Sequence, residues 1–268
     1  MCENCGCNGH HEHAHEHDYK HSHTQDSNHK PGHDCVYSRV HERKQAAGQQ
    51  TKTIVLESKV LSLNDEIAAQ NRKWLQDKGV ITLNLISSPG AGKTFLLEKT
   101  LEYFKDKISC AVIAGDQQTD NDAQRLRGKG HKVVQIETVS SCHLDAQRVA
   151  EVMRDVVDKS TKLLFIENVG NLVCPSAFDL GENFKIALLS VTEGEDKPVK
   201  YPALFSKADT VVLTKTDLLP HLDYNIETCR QYLKKIQPAL RLFELSAQTG
   251  QGLNDWFDYL QKNTLTWK

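Results

Sequence analysis

The stretch SSPGAGKT, residues 87–94, places two glycines, a lysine and a threonine where a phosphate chain can be held. Glycines allow a tight turn whose successive N–H groups, together with a helix N-terminus, surround the anion. The lysine reaches the outer phosphate oxygens and the threonine hydroxyl suits Mg²⁺. Ser87 stands where the usual pattern begins with glycine, but Gly90 and Gly92 remain available for the cradle. The expected phosphate-side residues are Gly90, Ala91, Gly92, Lys93, Thr94 and Phe95, with Lys93 also a catalytic group. Two acidic residues at predicted strand ends, Asp116 in AGDQQTD and Glu167 in FIENVG, face the crevice in which an α/β sheet holds its nucleotide. With Thr94 they make the expected magnesium set, Asp116 on the ion and Glu167 near it through water, and both carboxylates are read as catalytic. Asp120 and Asp122, in the same polar loop as Asp116, read as helix caps.

The base is read from TKTD, Thr214 to Asp217. A carboxylate against the base edge accepts from both N1–H and the 2-amino group of guanine, whereas adenine presents an acceptor at N1. Asp217 therefore selects GTP, Lys215 lays its stem over the ring, and the SAQ segment at Ser246 and Ala247 supplies a backbone donor to the guanine oxygen. Thr214 replaces the asparagine of the commoner NKxD pattern.

A different chemistry is offered by SSCHLDA, where Cys142 and His143 are adjacent, and by Cys174 in NLVCPS. Thiolate and imidazole together suit Zn²⁺ or Ni²⁺, and three ligands from two loops form an incomplete site that a symmetric dimer can complete. Taken singly, each element also reads as a buried small residue. Cys110 and Cys229 read as core, and Cys35 is unassigned.

The elements that must position these residues follow from patterning. The 268 residues are 39% hydrophobic and 25% charged, an ordinary globular composition, and the net charge of -2 carries no nucleic-acid footprint. No apolar run approaches the roughly 18 residues of a membrane span, and the start lacks a signal core. The expected location is cytoplasmic, with the eight cysteines reduced. Residues 1–50 hold ten of the thirteen histidines and almost no large apolar residue, and read as a disordered Cys/His-rich arm. Residues 51–79 read as a helical lead-in, with Ile54, Leu56, Val60, Leu61, Leu63, Ile67, Trp74 and Leu75 as its apolar stripe. From residue 80 to 268, seven Val/Ile/Leu-rich runs alternate with helical segments. That rhythm predicts an α/β, three-layer P-loop NTPase fold on a mostly parallel sheet.

In order, SSPGAGKT, AGDQQTDNDAQRLRGKG, SSCHLDA, FIENVGNLVCP, KPVKYPALFSKAD and LTKTDLLP closely resemble the hydrogenase nickel-incorporation GTPase family, the HypB accessory proteins. The resemblance covers about residues 55–268. It implies a slow GTPase that forms a homodimer across its nucleotides and delivers Ni²⁺ to the large-subunit precursor of [NiFe] hydrogenase, with a HypA-like metallochaperone as partner. By position it makes Cys142, His143 and Cys174 the nickel or zinc ligands of the GTPase domain. Ser88 occupies the place of a second loop lysine found in some relatives, leaving Lys197 or Lys200 as the cations on offer for charge across the dimer. It also makes Cys2, Cys5 and Cys7, in CENCGC, a tight nickel site, and the arm histidines, including His10, His11, His13, His15, His17, His21 and His23, an auxiliary store. Imidazoles spaced along such an arm release metal as they protonate below about pH 6.5. Two other readings use the same residues: a nickel or zinc reservoir with a scaffold NTPase domain, and an accessory GTPase for another metalloenzyme such as urease.

Overall fold

Buried Val, Ile and Leu dominate the inner strands of a seven-stranded sheet, and each strand pairs only in parallel with its neighbours. The computed structural model describes residues 58–116, 121–138 and 142–266, with backbone alone at 116, 121, 122, 265 and 266. Ser58–Lys268 forms one compact unit. Cys2, Cys5, Cys7, Cys35, the arm histidines, Ile54, Leu56 and Asp120 lie outside the described residues, as does the predicted cap of Asp122. The strands are β1 (Ile81–Ser87), β2 (Cys110–Asp116), β3 (Lys132–Glu137), β4 (Leu163–Glu167), β5 (Phe184–Ser190), β6 (Thr210–Thr214) and β7 (Arg241–Glu244). The helices are α1 (58–77), α2 (Lys93–Phe104), α3 (Asn121–Arg127), α4 (Ala146–Val156), α5 (Cys174–Ala177), α6 (Lys197–Lys200), α7 (Pro202–Phe205), α8 (Ile226–Ile236) and α9 (Leu253–Thr266).

The strand order is β3-β2-β4-β1-β5-β6-β7. The chain leaves β1 toward one edge, returns through β4, and then builds the other half from β5. The order therefore reverses at β1, and the loops after β1 and β4 meet at the carboxyl edge, where α/β sheets bind ligands. On one face, Leu96, Leu101 and Phe104 of α2 pack with Trp256 and Leu260 of α9 over Leu83, Leu85 and Phe165. On the other, Val149 and Met153 of α4 with Leu75 of α1 cover Ile113 and Ile166, and Leu204 of α7 with Leu233 of α8 covers Leu189 and Leu213. This is the expected three-layer arrangement, with a sheet that is wholly parallel.

Helix α1 departs from its predicted stripe. Val60 and Leu63 are 52% and 59% exposed, while Asn64, Ala68, Asn71 and Leu75 are buried. Their four-three-four spacing is helical, but half the stripe is amide. Asn64 Nδ2 donates to the Asp179 carbonyl at 2.8 Å, and Asn64 Oδ1 accepts from Ala146 N at 2.9 Å. Asn71 Nδ2 reaches the carbonyls of Ala146 at 2.8 Å and Leu180 at 3.2 Å. Arg72 grips both carboxylate oxygens of Asp179 at 2.6 Å. The helix is thus secured to the loop before α4 and the loop before β5 by hydrogen bonds, which an apolar count misses. Asn71→Ala removes both donations made by a buried side chain. Denaturant unfolding should show a loss of about 2 to 4 kcal/mol, and a loss near zero would mean that α1 is held by its apolar contacts alone.

Candidate functional site: a nucleotide cleft beside a thiolate–imidazole cluster

The phosphate loop is built by glycines in conformations other residues avoid. Gly90 has φ 73° and Gly92, the N-cap of α2, has φ 93°. Lys93 and Thr94 open α2, so both side chains start at the helix N-terminus. Lys93 Nζ donates to Ser87 Oγ at 2.9 Å, and Ser87 Oγ donates to the Ser88 carbonyl at 2.6 Å. The residue that breaks the usual glycine pattern therefore touches the lysine, a contact sequence reasoning treated only as a tolerated loss. Thr94 Oγ1 donates to Glu167 Oε1 at 2.6 Å, with Glu167 only 4% exposed. Glu167 pairs in register with Leu85 of β1 and Ala114 of β2, and Asp116 ends β2 two residues later. Thr94 and Glu167 border a cavity of about 440 Å³ lined also by Pro89, Gly90, Gly92, Lys93, Phe95, Arg125, Gln135, Asn168 and Gly170.

A second cavity of about 200 Å³ is lined by Gly92, Phe95, Thr214, Lys215, Asp217, Ser246, Ala247 and Gln248. Gly92 and Phe95 line both cavities, so the predicted phosphate and base residues adjoin in one cleft. The threonine that departs from NKxD has a visible role: Thr214 Oγ1 donates to the Ala91 carbonyl at 2.7 Å and fastens the base loop to the phosphate loop. Thr216 N donates to the Leu245 carbonyl at 3.3 Å, joining the TKTD loop to the SAQ segment. Lys215 has φ 60°, an uncommon conformation for a residue with a side chain, and it directs the chain into the turn Thr216–His221 that carries Asp217.

Cys142, His143 and Cys174 meet although they come from different loops. Their ligand atoms lie within 4.8 Å of one another, the one such metal-competent cluster among the described residues, and Cys142 Sγ is 3.8 Å from His143 Nδ1. The imidazole stacks on Phe178 at 4.0 Å between centroids. Burial holds its pKa below the ordinary histidine value, with Asp145 opposing, so the ring stays neutral and able to donate a lone pair to a metal at neutral pH. By contrast the Cys110 thiol is pushed up to about 12 by burial, and burial also raises Cys229, in keeping with their reading as core. The two cations considered for charge across a dimer are paired locally, Lys197 with Glu193 at 3.3 Å and Lys200 with Asp196 at 2.6 Å.

Residues 81–244 match the family described as CobW/HypB/UreG, nucleotide-binding domain. The hydrogenase maturation factor HypB of Rhizobium leguminosarum bv. viciae is 48% identical over 228 residues, covering 83% of this chain and 76% of that protein. The chain belongs to the HypB family. Among solved structures, HypB from Helicobacter pylori in complex with nickel superposes with TM-score 0.71 at 38% identity, covering 75% of this chain and 94% of that one. A curated Helicobacter pylori relative, 40% identical over 214 residues (78% of this chain, 87% of that protein), is named a hydrogenase/urease maturation factor HypB. Among the described residues of this HypB-family chain no helix is long and apolar enough to cross a membrane.

Sequence reasoning missed Ser87 as a partner of Lys93, Phe178 as the platform of His143, and two asparagines that bond to the metal-bearing loops. Asn168 was visible only as the residue after a strand-end glutamate, and Asn171 only as a polar residue before Cys174. Neither carries a spacing signal.

Proposed function

We propose that this chain is a GTP-hydrolysing nickel metallochaperone that stores Ni²⁺ and delivers it during maturation of [NiFe] hydrogenase. The observation that carries this reading is the thiolate–imidazole–thiolate cluster standing beside a nucleotide cleft. Soft sulfur with neutral nitrogen suits Ni²⁺ or Zn²⁺ rather than hard cations. The donors at the phosphate loop are of the opposite kind, a hydroxyl and a buried carboxylate 2.6 Å apart, and fit Mg²⁺. Thr94, Asp116 and Glu167 would hold that ion, which neutralises phosphate charge.

In this reading, Lys93 binds the outer phosphate oxygens and stabilises charge that develops on them. Gly90, Ala91, Gly92 and Phe95 shape the cradle. Asp217 pairs with the guanine edge beneath Lys215, with Thr214, Ser246 and Ala247 holding the base loop. Catalysis is slow in this reading, because the sequence carries no obvious glutamine or arginine finger; Arg125 and Gln135 line the phosphate cavity. GTP favours a homodimer, the dimer re-orders the loops carrying Cys142, His143 and Cys174, and hydrolysis resets them. Metal affinity then depends on nucleotide state, and linkage requires the reverse as well. Cys2, Cys5 and Cys7 form a high-affinity nickel site and the arm histidines a reservoir. A HypA-like metallochaperone and the hydrogenase large-subunit precursor are the partners, in the cytoplasm. The relative named for both hydrogenase and urease favours a second client enzyme for the same carrier.

The test is site-resolved thiol alkylation of the full chain, read by mass spectrometry at Cys142 under chelator-buffered free Ni²⁺, with GDP and with a non-hydrolysable GTP analogue. Wild type should show nickel protection that shifts with nucleotide. Cys174→Ala should move half-protection of Cys142 to at least about 100-fold higher free nickel. Protection at unchanged nickel in that variant would remove the cluster from the proposal and favour the reservoir in the arm.

A further inference from the structure

Between Glu167, at the nucleotide cleft, and Cys174, in the metal cluster, only a short segment intervenes, and its side chains touch both sites. Asn168 is 1% exposed. Its Oδ1 accepts from Leu144 N at 3.2 Å and from Val169 N at 3.0 Å. With both neighbours of that oxygen being N–H donors, the amide orientation is fixed, and Nδ2 donates to Asn84 Oδ1 of β1 at 3.3 Å. Asn84 passes the chain on to Glu182 Oε1 at 3.1 Å. Leu144 directly follows His143, so the loop bearing Cys142 and His143 is held by the residue next to Glu167.

Packing contacts reinforce the same junction. Leu144 is fully buried against Gly115, where a Cβ would lie 2.9 Å from the leucine side chain, and Gly115 precedes Asp116. Gly170 lies against the phosphate loop, where a Cβ would stand 3.1 Å from Cα and Cγ of Pro89. Asn171 Nδ2 donates to the Cys142 carbonyl at 3.4 Å while its Oδ1 accepts from Val173 N at 2.9 Å, so it ties the two ligand loops together. A shift of the Thr94–Glu167 contact or of Pro89 is therefore passed to Leu144 through the Asn168 hydrogen bond and the close Gly170–Pro89 and Gly115–Leu144 contacts.

We propose that Asn168 is the positioning residue that transmits nucleotide state to the metal cluster, holding the Cys142–His143 loop to the segment that begins at Glu167 and packs through Gly170 on the phosphate loop. The proposal rests on the reading of this chain as a nucleotide-coupled metal carrier, and deepens it. Asn168 borders the phosphate cavity, but its side chain is engaged by protein groups, Leu144 N, Val169 N and Asn84 Oδ1. Its effect is on the coupling between the two sites, not on either affinity alone.

The experiment is the same alkylation of the full chain under buffered Ni²⁺, comparing wild type with Asn168→Ala, Gly170→Ala and Asn64→Ala. Asn64 also secures the start of α4, by accepting from Ala146 N, with its other hydrogen bond going to the Asp179 carbonyl, and so controls for plain loosening. Wild type should shift its half-protection concentration at least about fivefold between GDP and the GTP analogue. In Asn168→Ala the shift should fall below about twofold with nucleotide affinity changed by no more than about threefold, while Asn64→Ala keeps the wild-type shift. If Asn168→Ala does not fold, Gly170→Ala decides, since it displaces the segment from Pro89 and keeps the asparagine. A full wild-type shift in Asn168→Ala, or equal loss in Asn64→Ala, overturns the proposal and leaves the carrier reading standing. No shift in wild type overturns both.

Discussion

Lys93→Ala is expected to lower GTP turnover by about 10² to 10³-fold at saturating nucleotide, with the far-UV spectrum unchanged. The reason is geometric. Lys93 is nearly buried at the head of α2, its ammonium 2.9 Å from Ser87 Oγ on the wall of the phosphate cavity. Lys93 and Arg125 are the cations lining the cavity, Lys93 at the glycine turn itself, and a loose phosphoryl-transfer transition state depends on such positioning and charge more than on proton transfer. Alanine keeps the helix, because the N-terminal backbone N–H groups and Gly92 are untouched. Phosphate release measured on the purified chain decides the chemical claim: turnover at the wild-type rate would remove Lys93 from the phosphate site. The same variant separates two functional readings in cells, because hydrogenase activity that survives loss of turnover would make the NTPase domain a scaffold for a metal store.

Asp217→Asn should invert base preference. The carboxylate of Asp217 is half-buried in the second cavity, and in the proposed reading it accepts from N1–H and the 2-amino group of guanine at once. An asparagine amide can accept from only one of these and turns an N–H toward the other donor, which should weaken GTP by about 10²-fold or more. The same amide matches xanthine, whose N1–H donates and whose 2-carbonyl accepts. Displacement of a fluorescent guanine nucleotide by GTP, XTP and ATP reads all three. Unchanged preference for GTP over XTP in the variant, or equal binding of ATP by the wild type, would show that the base edge lies elsewhere. Thr214 should be spared in this comparison, since its hydroxyl holds Ala91 and a change there would disturb phosphate and base together.

Much of the fold was legible because its signals are local. All seven predicted strands appear within a residue or two of their runs, the inner five because a strand covered on both faces needs little beyond an apolar run. The cap of α4 is likewise written in the chain: Asp145 accepts from Arg148 N at 2.9 Å. The error at α1 has the opposite cause. Val60 and Leu63 read as part of the apolar stripe because they are apolar, but the burying face is set by asparagines whose value depends on carbonyls of Ala146, Asp179 and Leu180, and no count along α1 contains those partners.

By itself, then, the sequence determined the sheet and the phosphate loop, and it supplied the proposal for the base-reading loop. Each is a contiguous run whose chemistry is complete over a few residues: glycines that turn, a lysine and threonine at a helix start, a carboxylate after a strand. Only the tertiary structure decided that Cys174 meets Cys142 and His143, that Thr214 bonds to Ala91, and that Asn168 spans from the residue after Glu167 to Leu144. A buried polar side chain is stable only where its partners are also buried and correctly aimed. Those partners arrive from segments far apart in the chain, so the pairing exists only once the strands β1, β2 and β4 stand side by side.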